Sequence, residues 1–131
     1  MRYLLDTNAL LVGGLDFASL RPSYQRILRD PTNDLLLSPA SIWELAIKVR
    51  LGKLNLQGVT LDDLAGEFRR RLRIRLLPIK QSQLLHIAAL PKVPNHGDPF
   101  DLLIIAQALT ENLPVLTSDG QFYRYGVDVV G

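Results

Sequence analysis

Residues 35–52 read LLLSPASIWELAIKVRLG and contain one complete strand-to-helix unit. Three consecutive leucines predict a short strand that is buried on both faces, as strands of parallel sheets are. Ser38 is a good helix N-cap, and Pro39 is a good first helical residue because it has no N–H group to leave unpaired. Gly52 suits the end of the helix. The predicted apolar face of this helix comprises Ile42, Leu45, Ala46 and Val49.

The same alternation of apolar runs and helical stretches extends along the chain in both directions. Further strands are predicted at residues 3–5, 76–79, 114–117 and 127–130, and further helices at 19–29, 60–73, 82–90 and 102–109. The sequence contains no repeat and no linker that would divide it. Alternating strands and helices favour a parallel sheet, and right-handed crossovers predict a single-domain α/β/α sandwich over residues 1–131.

Composition excludes several classes of protein. The chain has 131 residues, 47% of them hydrophobic, and no cysteine. Disulfides, thiolate metal sites and a cysteine nucleophile are therefore excluded. Its apolar runs are shorter than the roughly 20 residues of a membrane span, and its N-terminal segment does not resemble a signal peptide. We expect a cytoplasmic protein.

Net charge is only +2, but five arginines crowd into residues 69–75. One interpretation is a solvated helix face followed by a strand edge. The other is a surface that attracts phosphate, since contacts to phosphate supply affinity for nucleic acid of any sequence. On the second interpretation Arg69, Arg70 and Arg71 are substrate-binding residues.

Acidic residues follow the strands in a suggestive pattern. Asp6 ends the first strand and Asp119 comes shortly after the strand at 114–117, while Asp98 and Asp101 open the helix at 102–109. In parallel sheets ligands bind beyond the carboxyl ends of strands, where the strand order reverses, so these acids can meet in space. Glu44 lies in an apolar helical stretch and needs a polar partner there.

Each acid also has a local explanation. Asp6 suits the cap of a helix starting at residue 7, and Asp98 suits the cap of the last helix, with Asp101 in its first turn. Asp119 before Gly120 is typical of a turn. These alternatives weaken when the acids are taken together, because several independent coincidences would have to meet at one edge of the sheet.

Converging carboxylates repel one another unless protons or a cation intervene. Mg²⁺ or Mn²⁺ prefers oxygen ligands and can activate water and hold a phosphate oxygen, so the cluster predicts metal-assisted phosphodiester hydrolysis. The two histidines do not predict a zinc site. His86 is interpreted as structural or exposed, and His96 either as a loop residue or as one that touches substrate.

These motifs, in this order, resemble those of PIN-domain ribonucleases, specifically the toxin half of VapBC-type toxin–antitoxin pairs. The matching segments are YLLDTNALL from Tyr3, SIWELAIK from Ser41, GKL from Gly52, HGDPFDLLIIAQA from His96 and LTSD from Leu116. The resemblance covers essentially the whole chain, and no single motif decides it.

The resemblance implies an Mg²⁺- or Mn²⁺-dependent endoribonuclease that often forms a homodimer and is inhibited by a small antitoxin protein. Its implied catalytic residues are Asp6, Glu44, Asp101 and Asp119. The metal ligands are expected among Asp6, Asp98, Asp101 and Asp119, with Asp98 as the extra member. Thr7 and Ser118 are expected to support the site or the substrate.

The sequence departs from the family pattern at three positions, and it leaves three alternative functions to consider. Asn8, Gly97 and Leu102 stand where similar proteins often carry basic or histidine side chains, which affects substrate preference rather than the acids. A phosphoacceptor receiver domain would need a lysine within residues 113–120, and none is present. The other rivals are a catalytically silent binding protein of the same fold and a nuclease acting on DNA.

Overall fold

The structure, a computed structural model, describes residues 1–130. The elements in chain order are β1 (Arg2–Leu5), α1 (Thr7–Leu15), α2 (Pro22–Arg29), β2 (Asp34–Leu37), α3 (Pro39–Arg50), α4 (Arg69–Arg71), β3 (Arg75–Leu76), α5 (Gln81–His86), α6 (Pro99–Glu111), β4 (Val115–Leu116) and β5 (Val129–Val130). A π-helical segment, Asp63–Phe68, runs directly into α4, and 3-10 turns occupy Phe17–Ser19, Ile87–Ala89 and Phe122–Tyr125.

The five strands form one parallel sheet in the order β3-β2-β1-β4-β5. β1 lies at the centre, where Leu4 pairs with Leu36 of β2 on one side and with Val115 of β4 on the other. The predicted α/β/α sandwich is therefore confirmed. The strand order reverses between β1 and β4, which makes the carboxyl ends of these two strands the expected place for a ligand.

Side chains from the central strands feed two separate hydrophobic layers. Tyr3 and Leu5 belong to the layer that packs under α1, whereas Leu4 between them belongs to the layer under α6. This alternation follows from the pleat of a strand, which points successive side chains to opposite faces. Helix α6 is buried nearly all round, with Ile104 and Ile105 fully inaccessible, as its sequence predicts.

Helix boundaries follow the local sequence where capping residues are clear. The Ser38 hydroxyl accepts a hydrogen bond from the Ala40 N–H at 3.0 Å, and Pro39 begins α3 as predicted. The Thr60 hydroxyl accepts from the Asp63 N–H at 3.0 Å and caps the next helical segment. On α3 the predicted apolar face is partly wrong, because Val49 is exposed, whereas Glu44, which was not assigned to that face, is buried.

Several predicted boundaries are wrong by a few residues. Helix α2 begins at Pro22 rather than residue 19, since the preceding residues form a 3-10 turn. The third strand is only Arg75–Leu76, because Pro78 has no N–H to contribute to a ladder. The last two strands are also shorter than predicted. Helix α1 appeared only in the alternative interpretation of Asp6 as the cap of a helix starting at residue 7, and the structure contains both this helix and this cap.

Helix α1 packs closely against the π-helical segment. A Cβ atom built on Gly14 would lie 2.1 Å from Leu64 Cδ1, and one on Gly13 would lie 2.8 Å from Phe68 Cζ. A larger residue at either position would therefore have to push the Leu64 or Phe68 side chain aside. Among residues 1–130, none of the helices combines the length and apolar character needed to cross a membrane.

Candidate active site

The acidic residues gather where β1 and β4 end side by side. Asp6 follows β1 directly and is buried, and its Oδ1 accepts a hydrogen bond from the Ala9 N–H at 2.7 Å. Its Oδ2 accepts from the hydroxyl of Thr117, the first residue after β4. The pKa of Asp6 is raised to about 6, because burial and, to a smaller extent, the charges of Asp119 and Glu44 outweigh the lowering effect of the two hydrogen bonds.

Asp101 lies in the first turn of α6 and faces the same cluster. Burial is the largest cause that raises its pKa to about 7, followed by the negative charge of neighbouring acids. Those acids are Asp98, Glu44, Asp119 and Asp6. The mutual effects on pKa show that the structure brings together the acids singled out in the sequence, although they come from four different parts of the chain.

Glu44 is buried on α3, and its partner is Lys48 one helical turn later. The Lys48 ammonium group donates to Glu44 Oε2 at 2.7 Å, and this hydrogen bond is the main cause that raises the pKa of Lys48. The other oxygen, Oε1, is buried and has no hydrogen-bond partner among residues 1–130. The expectation that Glu44 needs a partner therefore holds for one of its two oxygens.

Asp98 and Asp119 make the local hydrogen bonds that the sequence suggested, and they also lie near the other acids. Asp98 caps α6, since its Oδ1 accepts from the Phe100 N–H at 2.9 Å and the Asp101 N–H at 3.2 Å. Asp119 Oδ1 accepts from the Gln121 N–H at 2.8 Å in a turn. A carboxylate has two oxygens, so one of them can serve the backbone while the other faces the cluster.

His96 is part of the site, although it was interpreted from the sequence mainly as a loop residue. Its side chain is only 8% exposed, and Nε2 lies 3.5 Å from Asp101 Oδ2 and 3.6 Å from Asp119 Oδ2. The other ring nitrogen, Nδ1, is 2.7 Å from the Tyr125 hydroxyl. Its position two residues before Asp98 could have indicated that His96 lies at the same edge of the sheet.

Thr117 and Tyr24 are two further residues that sequence reasoning missed. The Tyr24 hydroxyl donates to the Thr117 carbonyl oxygen at 2.6 Å, and the Thr117 hydroxyl accepts from the Asp119 N–H at 3.0 Å. Thr117 thus contacts both Asp6 and Asp119. The only indication in the sequence was that it directly follows an apolar strand on the way to Asp119.

Comparison with known proteins assigns the family. The family model described as "PIN domain" matches residues 3–128. The chain belongs to the PIN domain family. The resemblance seen in the sequence motifs is thereby confirmed at the level of the family. No curated protein matches the chain.

Solved structures with the same fold come from several bacteria. VapBC2 from Rickettsia felis, bound to a DNA fragment from its promoter, is 20% identical with a TM-score of 0.71, and the match covers 99% of this chain and 98% of that one. VapBC-1 from nontypeable Haemophilus influenzae is 22% identical with a TM-score of 0.66, covering 99% and 97%. FitAcB from Neisseria gonorrhoeae is 25% identical with a TM-score of 0.61, covering 98% and 96%.

The donor set of this PIN domain fits a divalent cation. Nucleases of the family use divalent metals. One carboxylate oxygen each from Asp101 and Asp119 and a ring nitrogen of His96 lie within 4.8 Å of one another. The unpartnered Glu44 Oε1 and His96 Nε2 are buried polar atoms that need a partner. A cation among these groups would also relieve the repulsion that raises the pKa of Asp101.

The predicted substrate-binding residues of the PIN domain occupy different places. Thr7 is buried and its hydroxyl donates to Ser41 Oγ at 3.0 Å, which indicates a supporting position. Ser118 is exposed and lines a cavity of about 320 Å³ together with Asp6 and Asn8. Ser118 and Asn8 are therefore accessible to a ligand that reaches Asp6.

The arginine cluster lies near the opposite end of α1. Arg71 lines a cavity with Gly14, which is eight residues beyond Asp6 and thus about 12 Å further along the helix. Arg69 Nε donates to the Ala65 carbonyl oxygen at 3.0 Å, and Arg70 pairs with Glu67 at 2.9 Å on the surface. Arg71 therefore borders the end of α1 that lies away from Asp6.

Proposed function

We propose that this protein is a divalent-metal-dependent endoribonuclease and the toxin of a type II toxin–antitoxin pair. The observation that carries the nuclease proposal is the convergence of Asp6, Glu44, Asp101 and Asp119 at the ends of β1 and β4. Carboxylates with pKa values raised to about 6 and 7 are a costly arrangement for stability alone, and such groups mark functional sites.

Each acid has a distinct role in this proposal. Asp6, Asp101 and Asp119 hold Mg²⁺ or Mn²⁺, which would polarise the scissile phosphate and promote ionisation of water. Lys48 fixes one oxygen of Glu44, and the free Oε1 is available to accept a proton from the attacking water. Asp98 caps α6, the helix that carries Asp101, and its negative charge raises the pKa of Asp101.

RNA would lie across the open edge of the sheet. Ser118 and Asn8 border the cavity beside Asp6 and are placed to contact a ribose or base next to the cleaved bond. Arg69, Arg70 and Arg71 would bind phosphates further along the strand, at a distance from Asp6 that spans more than one nucleotide. Thr7 supports the site through Ser41 rather than by contact with substrate.

The partner proposal comes from the solved structures with the same fold. They include VapBC and FitAB complexes and a toxin–antitoxin complex from Klebsiella pneumoniae. By analogy, a small antitoxin would cover the acidic edge of this chain, and an arginine in it could pair with two carboxylate oxygens at once. The toxin would act as a homodimer on cytoplasmic RNA.

The nuclease proposal is tested with purified protein and a fluorescent RNA in Mn²⁺, Mg²⁺ or EDTA. We expect cleavage with either cation and none with EDTA. Asp101→Asn should abolish cleavage, whereas Asp62→Asn, at an exposed acid outside the cluster, should not change it. Metal-independent cutting, or full activity of Asp101→Asn, would overturn the proposal. Faster cleavage of single-stranded DNA than of RNA would identify DNA, rather than RNA, as the substrate.

The toxin proposal needs a separate experiment in cells. Expression of the chain alone should arrest growth, and co-expression with a small protein encoded beside it should restore growth. The matched control is Asp101→Asn expressed at the same level, which should be harmless. Normal growth with an active enzyme and no antitoxin would refute the toxin role and leave the nuclease role intact.

A further inference from the structure

His96 differs from the acids because its ring is held on one side and unpartnered on the other. The side chain is 8% exposed, so solvent cannot readily satisfy the free nitrogen. Nε2 has no hydrogen-bond partner among the described residues, and it points to the space between Asp101 Oδ2 and Asp119 Oδ2. A buried imidazole nitrogen without a partner requires an explanation.

Tyr125 contacts the ring nitrogen of His96 that is not directed at the two carboxylates. The Tyr125 hydroxyl is 2.7 Å from His96 Nδ1 and also 3.4 Å from the carbonyl oxygen of His96. If the hydroxyl donates to the carbonyl, it accepts from Nδ1–H, and Nε2 then carries a lone pair. Metal-binding histidines almost always donate their other N–H in this way.

The distances around Nε2 fit an ion better than a hydrogen bond. Separations of 3.5 and 3.6 Å from the two carboxylate oxygens exceed the usual length of a hydrogen bond. Two donors that are each about 2.1 Å from one ion lie about 3.0–3.5 Å apart, depending on the angle between them. Only a small inward movement is needed for all three groups to share a cation.

We propose that His96 Nε2 is a nitrogen ligand of the metal site, beside Asp101 and Asp119, and that it makes the site prefer Mn²⁺ to Mg²⁺. Imidazole suits transition metals, whereas Mg²⁺ favours an all-oxygen shell. This inference rests on the proposed metal-dependent function and adds to it a metal preference and a fourth donor, the first that is not a carboxylate. The competing interpretation is a charged imidazole that pairs with the two carboxylates without touching the metal.

The chain offers a clean spectroscopic test because it contains only two histidines. Protein without a histidine tag is loaded with Mn²⁺, and electron spin-echo modulation is recorded for coupling of the ion to ¹⁴N. Wild type and His86→Gln should show the coupling of a directly bound imidazole. His96→Gln should lose it while still binding Mn²⁺ through the carboxylates.

Calorimetric titration of Mn²⁺ and Mg²⁺ gives the second readout. His96→Gln should weaken Mn²⁺ binding about 100-fold and Mg²⁺ binding less than tenfold, whereas Asp101→Asn should weaken both. Tyr125→Phe, which keeps the imidazole, should retain the ¹⁴N coupling and lose about tenfold in Mn²⁺ affinity. This variant separates a ligand role from a simple loss of folding.

The outcomes distinguish this inference from the proposed function. RNA cleavage with Mn²⁺ but no imidazole coupling in wild type would overturn the role of His96 and leave the nuclease standing. Coupling that disappears in His96→Gln, with no cleavage of any RNA, would support the ligand and refute the nuclease. Equal loss of Mn²⁺ and Mg²⁺ affinity in His96→Gln would refute the metal preference.

Discussion

The Thr117 hydroxyl donates to Asp6 Oδ2 across the gap between β4 and β1. The same hydroxyl oxygen accepts the Asp119 N–H at 3.0 Å. One side chain therefore sets the position of one proposed metal ligand and the backbone of another. The Tyr24 hydroxyl, bonded to the Thr117 carbonyl, holds this residue from the side of α2.

Thr117→Val tests this positioning role because valine keeps the shape and removes the hydroxyl. We expect kcat for RNA cleavage to fall about 10- to 100-fold, the usual loss when a residue that orients a metal ligand is changed. Thr117→Ser keeps the hydroxyl and should recover most of the activity. Circular dichroism should show both variants folded. Equal activity of the valine and serine variants would show that the Thr117 hydroxyl does not position the metal ligands.

Asp101 and Asp98 should separate activity from stability. Asp101→Asn removes a ligand and should abolish metal-dependent cleavage while the protein stays folded. Asp98→Ala removes the cap of α6 and should cost about 1 kcal/mol, or a fall in Tm of about 2–5 °C, with cleavage reduced only modestly. Asp98→Asn preserves a good cap and serves as the control. If Asp98→Ala abolishes cleavage without lowering Tm, the two acids have exchanged roles.

Metal affinity should depend on pH because protons compete for the same carboxylates. The metal-free pKa values of Asp6 and Asp101 are raised to about 6 and about 7. Mn²⁺ binding requires both groups to be ionised, so affinity should rise steeply up to pH 6, more gently to pH 7, and then level off. Calorimetry at pH 5.5 to 8.5 measures this. Affinity that is constant over that range would contradict the raised pKa values.

Stability of the metal-free protein should change in the opposite sense. In the folded state these two acids hold protons up to about pH 6 and 7, whereas in the unfolded chain they lose them near 3.8. The folded state binds more protons in between, so the free energy of unfolding falls as pH rises from about 4 to 7. Addition of Mn²⁺ at pH 8 should restore the loss.

Asp101→Asn provides the check on that stability argument. In EDTA at pH 8 the variant should be more stable than wild type by on the order of 2 kcal/mol, because it removes a buried charge. At pH 3 the difference should nearly vanish, since wild-type Asp101 is then largely protonated in both states. Urea unfolding curves at the two pH values measure it. An Asn variant that is less stable than wild type at pH 8 would show that Asp101 is stabilising as a charge.

The arginine cluster should affect binding of RNA and not the chemical step. Changing Arg69, Arg70 and Arg71 to Gln should raise KM, leave kcat unchanged and flatten the dependence of KM on salt, by up to about two units of logarithmic slope. A charge-matched control changes three exposed residues elsewhere: Arg26, Arg50 and Lys53. Identical salt dependence in the two triple variants would show that the cluster is a solvated surface that does not bind the phosphates of RNA.

The sheet could be predicted from sequence because its signals are local. The apolar run of β2 and the cap at Ser38 act within a few residues, so their effect survives in the fold. The extent of helix α1 was not predicted, although Asp6 was recognised as a possible cap, because the segment is mainly apolar and carries adjacent glycines at positions 13 and 14, which lower helix propensity. Its packing against the π-helical segment, which needs those glycines, is a tertiary effect.

The candidate site, like the fold, could be predicted from sequence only in part. Placement of the acids at strand ends follows from topology, and this topology could be inferred from the pattern of strands and helices. The orientation of the His96 ring could not be predicted, because it is held by Tyr125, which is 29 residues away in sequence. Lys48 could have been found, since it stands one helical turn after a buried glutamate.

The central position of β1 also fixes when the site can form during synthesis. Asp6 and Thr117 are 111 residues apart, so a ribosome makes α6 and β4 long after it has made β1 and β2. Until β4 docks beside β1, Asp6 has neither its hydroxyl partner nor the acids contributed by the later segments. A growing chain thus carries an incomplete site, and the proposed nuclease would be unable to cleave its own message until its last strands are in place.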